Sequence, residues 1–415
     1  MEYKLNVTGM VKLEGSKSIM NRVLIISTFL DSSLKIKNIS KCNDVMTLIE
    51  SLKKLGFKFD FVKNSVIIHP PAKIRNNQEL YIHGSGTAFR FLIARLTTME
   101  RIQTNLDVSS QLRKRPIEPL LEILKKMSAE VHSKRSSFKI YGNMLTGGEI
   151  DIKADISSQF ISALLLIAPN LKSDLILNLQ EKIVSKPYIE MTLKIMRDFG
   201  IESEFSKNKI IIKSSQKYKN PGEYEVEPDF SSACYFWALG ALSKREVCTS
   251  GSSHQSLQPD FNFLKILEEM GALITIEDNK ICVRKRFLKG INIDMKDIPD
   301  QVPTLAFLAL FANSPTKMHN IEHLKYKESD RIKSLITELK KISTKIEYSN
   351  GILTIYPLAE IPPCVELETY DDHRLVMAFH ILKVVFPYIR ISGIDAVDKS
   401  YPNFISDFMR VRNNS

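Results

Sequence analysis

The chain has no run of 18 consecutive apolar residues, so no segment reads as a membrane-spanning helix. Residues Met1–Val11 lack the apolar core of a secretory leader, which sets the expectation of a cytoplasmic protein. Cysteine is sparse. The five (Cys42, Cys234, Cys248, Cys282 and Cys364) are scattered and form no C-x-x-C pair, which suits a reducing compartment and argues against a disulfide framework or a zinc site. A G-x-x-x-x-G-K phosphate loop, a G-x-G-x-x-G dinucleotide fingerprint and a D-x-D acid set are all absent. Basic residues are dispersed, with no recognition helix and no interleaving of aromatic and basic side chains. The formal charge of +11 therefore fits multiply anionic metabolites better than nucleic acid. What remains is a globular chain of 415 residues, two or three domains by length. Its expected chemistry is transfer between small anions, with no metal and no cofactor.

The chain repeats. Turns after helical patterns recur at Gly56, Ser128, Gly200, Gly271 and Ser343, which are 72, 72, 71 and 72 residues apart. A second series of helices starts near Ser18, Ala88, Ser158, Ser231, Pro303 and His373, at intervals of 70, 70, 73, 72 and 70. A fixed period describes architecture before any motif is considered. It gives six units, each with two helices and several short strands. Ile- and Val-rich stretches such as Ser65–His69, Ser137–Tyr141, Lys209–Ile212, Lys280–Val283 and Gly351–Ile355 close the units as strands. The second-series helices are too apolar for an open solenoid: 160–168 is apolar nearly all round, as in a core helix. Two similar α/β domains of three units each follow, with a boundary near Pro221-Gly222-Glu223.

Polar and charged groups gather where these helices begin. Gly15-Ser16-Lys17-Ser18 with Asn21 and Arg22 offers backbone N–H groups and two cations to an anion, or is a plain capped helix. In His83-Gly84-Ser85-Gly86-Thr87-Ala88-Phe89-Arg90, two glycines permit close approach of a ligand, or make a tight turn. Arg115 precedes Pro116, which reads as the first residue of a helix, so the arginine fork stands at an electropositive helix mouth. Ser157-Ser158-Gln159 and Ser185-Lys186-Pro187-Tyr188 supply neutral donors or caps. Asp300 is a candidate base with N-capping as its rival. Asp371-Asp372-His373-Arg374 is either an ion pair or a ligand clamp.

The densest stretch is Lys327-Glu328-Ser329-Asp330-Arg331, expected at the start of a helix, with Lys327 and Arg331 four apart on one face. Lys17, Arg22, Arg115, Lys327, Arg331, Arg374 and Lys399 are spread over both halves, and a shared anionic ligand between domains accounts for them.

Together these motifs, with Lys399-Ser400-Tyr401-Pro402, resemble the 5-enolpyruvylshikimate-3-phosphate synthase family, in family order and over nearly the whole chain. The resemblance implies the inverted α/β barrel of enolpyruvyl transferases, two domains each of three βαβαββ units, with the chain crossing between them twice. The domains would be 13–223 and 1–12 plus 224–415, with the active site in the cleft. The implied reaction moves the enolpyruvyl group of phosphoenolpyruvate to the 5-hydroxyl of shikimate 3-phosphate and releases phosphate, a step of aromatic amino acid biosynthesis. Shikimate 3-phosphate would be held by Lys17, Ser18, Arg22, Ser157, Ser158, Gln159, Ser185, Tyr188, Asp300, His323 and Lys327. Phosphoenolpyruvate would be held by Lys17, Gly86, Arg115, Gln159, Arg331, Arg374 and Lys399. Asp300, Glu328 and Lys17 form the implied catalytic set, with Asp300 as base and Glu328 as acid. Glyphosate would compete with phosphoenolpyruvate. The expected partners are these two small molecules, with neither nucleic acid nor membrane, and the chain is expected to be monomeric. Two alternatives are the sister transferase acting on UDP-N-acetylglucosamine and a non-catalytic anion-binding repeat scaffold. The sister family's loop cysteine is missing from 103–115.

Overall fold

The computed structural model describes residues 5–135, 137–180, 182–251, 256–277, 279–342 and 344–413. The chain divides into two compact units, Gly15–Glu227 and Met1–Glu14 with Pro228–Ser415. Ser343, the last of the periodic turn positions, and residues 1–4 lie outside the described residues.

In the Gly15–Glu227 unit, three four-stranded sheets share one plan. Gln78–Ile82 runs parallel to Gln103–Val108, which pairs antiparallel with Ser137–Tyr141, which in turn pairs antiparallel with Glu130–Lys134. Gly148–Lys153, Leu175–Gln180, Lys209–Ile212 and Glu204–Ser206 repeat that order. In the remaining sheet the parallel strand, Glu223–Glu225, comes from the far end of the unit to pair with Leu34–Lys37. That pairing puts 224–227 in this unit, so the division falls after Glu227 and not at 223/224.

The other unit repeats the plan with Gly9–Val11 beside Val247–Ser250 and with Asn292–Asp294 beside Thr316–His319. Its third sheet is reduced to Glu366–Leu367 and Arg390–Ile391. Each unit therefore has a strand supplied from a distant part of the sequence, as a twice-crossing chain requires.

The cores are the apolar helices. Lys17–Ser27, Gly86–Thr97 and Ser158–Ile167 occupy one unit; Phe230–Leu242, Val302–Ala309 and His373–Val385 occupy the other. Every residue of Phe230–Leu242 is buried, as an all-round apolar helix must be. Its start is fixed by Asp229, whose side chain accepts from the Ser232 N–H, so the Glu227–Ser232 stretch serves the fold. The amphipathic second helices, such as Phe263–Met270 and Arg331–Lys341, cover the sheets. Among the described residues no helix is long and apolar enough to cross a membrane.

The expectation of cysteines without a disulfide is corrected. Cys248 and Cys282 are register partners on adjacent antiparallel strands, with Cα atoms 4.0 Å apart, and are joined. Strand pairing brings together two residues whose sequence spacing gave no sign of it. Cys42, Cys234 and Cys364 are free.

Candidate active site

Asp300 lies in a short 3-10 turn, Pro299–Gln301, just before the helix Val302–Ala309. Gln301, not Asp300, occupies that helix's cap position, so the capping reading of Asp300 is set aside. Its carboxylate faces cations instead. Oδ1 accepts from Lys327 Nζ at 3.3 Å and from Arg331 Nη1 at 2.9 Å, and Oδ2 accepts from Arg374 Nη2 at 3.1 Å. Burial raises the Asp300 pKa, but attraction to Lys327, Arg374 and Arg331 outweighs it and holds the carboxyl well below the usual carboxylate range.

The expected helical face shared by Lys327 and Arg331 does not form. Lys327 is extended and ends the 3-10 turn Glu322–Tyr326, whereas Arg331 opens the helix Arg331–Lys341. Asp330 caps that helix by accepting from the Lys333 N–H at 3.1 Å. Two strong capping types, Ser329 and Asp330, stand in sequence, and the later one wins. Lys327 and Arg331 meet through the Asp300 oxygen they share.

Arg331 is the hub. Its side chain is 1% exposed. Nε and Nη2 bind the two oxygens of fully buried Asp372 at 2.8 and 3.2 Å, a bidentate fork. Nη2 also donates to Glu328 Oε2 at 2.9 Å. Burial lowers the Arg331 pKa, but Asp372, Glu328 and Asp300 together raise it above its ordinary value. Glu328 Oε1 accepts from Lys399 Nζ at 2.9 Å, so this carboxylate bridges two cations. Asp372 also accepts from the Ser329 hydroxyl and caps the helix His373–Val385 through the Arg374 N–H. The Arg374 guanidinium avoids its neighbouring acids and goes to Asp300 and to the Tyr235 hydroxyl, at 3.2 Å. Asp372 therefore pairs with Arg331, a partner 41 residues away, and the sequence-adjacent pairing is corrected.

The Gly15–Glu227 unit holds a second set of groups. Lys17 Nζ pairs with Asp44 at 2.7 Å, with side chains 14% and 7% exposed. Arg22 is spent inward: it donates to the Ser18 and Tyr188 carbonyls, to Thr192 Oγ1 at 2.8 Å and to Ser162 Oγ at 3.4 Å. Burial lowers its pKa to about 10, against the attraction of Tyr188. Ser157 accepts from the Gln159 N–H, and Ser185 sits at a helix start with φ of 56° and no side-chain cap bond.

Gln159 links two neighbours, accepting from Arg90 Nη1 at 2.8 Å and donating to Thr87 at 3.0 Å. A Cβ on Gly86 would stand 2.5 Å from Arg90 Nη1 and 2.7 Å from Arg115 Nη1, so only glycine admits both guanidinium groups there. Pro116 does not open a helix: the next one is Glu118–Lys126, capped at Ile117. Arg115 does not directly precede that helix, and the end of its guanidinium lies against Gly86. His323 is buried in the 3-10 turn Glu322–Tyr326, while His319 ends a strand, so the two histidines four residues apart are not a helical pair.

A family model described as EPSP synthase (3-phosphoshikimate 1-carboxyvinyltransferase) matches residues 2–408. The chain belongs to the EPSP synthase family. A 3-phosphoshikimate 1-carboxyvinyltransferase of Shewanella halifaxensis is 34% identical over 417 residues, covering 98% of this chain and 97% of that protein. One from a Marinomonas species is 34% identical over 414 residues, with 98% and 97% covered. The solved EPSP synthase of Acinetobacter baumannii shares the fold with a TM-score of 0.80 at 22% identity, covering 99% of this chain and 97% of that one. The enolpyruvyl transferase NikO of Streptomyces tendae does so with a TM-score of 0.78 at 15% identity, covering 99% and 96%. The two-unit α/β architecture is thus that of enolpyruvyl transferases. Membership of the EPSP synthase family disfavours both the sugar-nucleotide transferase and the non-catalytic scaffold.

Four residues escaped the site reading of the sequence, Asp44, Arg90, Thr192 and Tyr235, while Asp372 was read with Arg374 and not with Arg331. Arg90 and Asp372 lie inside motifs that were legible. Asp44, Thr192 and Tyr235 carry no local signal, because each acts on a partner far along the chain.

Proposed function

We propose that the chain transfers the carboxyvinyl group of phosphoenolpyruvate to the 5-hydroxyl of shikimate 3-phosphate, releasing phosphate. The observation that carries the reading is the Asp300 carboxylate shared by Lys327, Arg331 and Arg374, beside a Glu328 shared by Arg331 and Lys399. Two carboxylates among four cations form a site whose internal pairs can be exchanged for substrate anions.

The exchange has a chemical consequence. With three cations on it, Asp300 is a poor base. Phosphate and carboxylate groups of the substrates draw Arg331, Arg374 and Lys327 away, and the Asp300 pKa rises toward a value useful for taking the 5-hydroxyl proton. The same anions draw Arg331 and Lys399 off Glu328, which then takes up a proton; the alkoxide attacks C2 of phosphoenolpyruvate while Glu328 delivers that proton to the C3 methylene. The tetrahedral adduct loses phosphate, and the Glu328 carboxylate takes a C3 proton back, which restores the enol ether. The preorganised cations stabilise the charge that gathers on the adduct. In this reading Lys17, Ser18, Arg22, Ser157, Ser158, Gln159, Ser185, Tyr188 and His323 serve shikimate 3-phosphate, with Lys17, Gly86, Arg115 and Gln159 completing the phosphoenolpyruvate set. Arg22 acts chiefly by holding the Ser18 and Tyr188 backbone, since its donors are already engaged.

Solvent-deuterium incorporation into the methylene of phosphoenolpyruvate, with shikimate 3-phosphate present, tests the acid. Glu328→Gln should lower incorporation and kcat by roughly 10²–10⁴-fold. Wild-type incorporation in that variant would remove Glu328 from the role.

A further inference from the structure

The corner that carries Asp372 and Arg374 is reached through a strained turn. Tyr370 and Asp371 both have φ of 53°. Successive non-glycine residues in the left-handed region are unusual, and a bulky tyrosine there more so. Such a conformation persists only where its surroundings over-determine it.

Glu338 supplies the constraint. It lies on Arg331–Lys341, the helix that Arg331 begins, and is fully buried. Its Oε1 accepts from the Tyr370 hydroxyl at 2.7 Å. Its Oε2 accepts from the Glu368 N–H at 2.9 Å and from Lys341 Nζ at 2.7 Å. Past the strained pair, the Asp372 N–H closes the turn on the Thr369 carbonyl at 2.8 Å, and the Asp372 carboxylate takes the Arg331 fork. One helix thus grips the 368–372 segment twice, through Glu338 at Glu368 and the strained Tyr370 and through Arg331 at Asp372. The ordinary use of a helical glutamate is a solvated pair with a nearby lysine. Here the same carboxylate is drawn inside by a tyrosine and a loop amide as well.

We propose that Glu338 is a positioning residue for phosphoenolpyruvate binding: it pins the Thr369–Asp371 turn so that Asp372 orients Arg331 and Arg374 stands beside Asp300. The proposal rests on the reading that Arg331 and Arg374 bind phosphoenolpyruvate.

The test is the KM of each substrate for the wild type, Arg374→Lys, Glu338→Gln and Glu338→Gln/Tyr370→Gly, at a temperature where each is folded by circular dichroism. Glu338→Gln should raise the phosphoenolpyruvate KM about tenfold through misplaced cations, while the shikimate 3-phosphate KM stays within about twofold. Glycine at 370 takes positive φ without strain, so the double variant should recover most of the phosphoenolpyruvate KM. A purely structural glutamate would lower the melting temperature, leave both KM values unchanged and gain nothing from the glycine; that pattern overturns the proposal. Should Glu338→Gln not fold, Tyr370→Phe, which removes only the hydroxyl, carries the same expected rise, and a wild-type KM in it overturns the proposal. Arg374→Lys with an unchanged phosphoenolpyruvate KM overturns the underlying reading of Arg374 instead.

Discussion

Arg331 sits among three carboxylates with almost no access to water, and its worth to the fold differs from its worth to the reaction. Arg331→Met would leave Asp372 buried without its fork, and removing one partner of a buried pair costs about 3–5 kcal/mol. Urea denaturation should show that loss, together with near-complete loss of turnover. Gly86→Ala acts in the other direction, by adding an atom. The Cβ must displace the ends of Arg90 and Arg115, and Arg90 is tied to Gln159 and to the Pro116 carbonyl. The phosphoenolpyruvate KM should rise, by roughly 10-fold as for a displaced positioning group, and an unchanged KM would show that neither arginine serves this substrate.

Asp300 predicts a pH dependence. Its folded pKa is depressed, so its contribution to stability is fully present above the unfolded value of about 3.9 and is lost as pH falls through the lower folded value. The stability advantage of the wild type over Asp300→Asn should be flat from neutral pH to about pH 5 and shrink only below about pH 4. An advantage that shrinks between pH 8 and pH 6 would contradict the assignment.

At the level of elements, helix starts decide where the charged groups point. Asp330 caps Arg331–Lys341, and Asp330→Ala should cost about 1 kcal/mol by thermal denaturation and also raise the phosphoenolpyruvate KM, because Arg331 is the first residue of that helix. The apolar helices and the Ile/Val-rich hairpins were legible because their signals are local. Ser65–His69 and Ser137–Tyr141 form as strands over the residues read from the sequence. The helix Arg331–Lys341 does begin within the stretch read as a helix start, but Lys327 stays outside it, since Glu328, Ser329 and Asp330 all suit a first turn or cap. Partners across the fold were not legible at all. Nothing local links Glu338 to Tyr370, Tyr235 to Arg374, or Cys248 to Cys282; those pairs exist because sheets and helices set their register.

At the scale of the whole molecule, the described residues form five four-stranded sheets of one order and a sixth of two strands, close in sequence to Asp372. The 70-residue period made this repetition visible, while the closing strands Gly9–Val11 and Glu223–Glu225 were not, because their partners lie far away in sequence. Family membership gives the architecture a chemistry, and the proposed mechanism rests on the cation-held Asp300 and Glu328. The most direct measurement is phosphate release by the purified chain with phosphoenolpyruvate and either shikimate 3-phosphate or UDP-N-acetylglucosamine, in the wild type and in Asp300→Asn. The account predicts release with shikimate 3-phosphate alone, lowered roughly 10²–10⁴-fold in the variant. Release with the sugar nucleotide, or full release in Asp300→Asn, would contradict it.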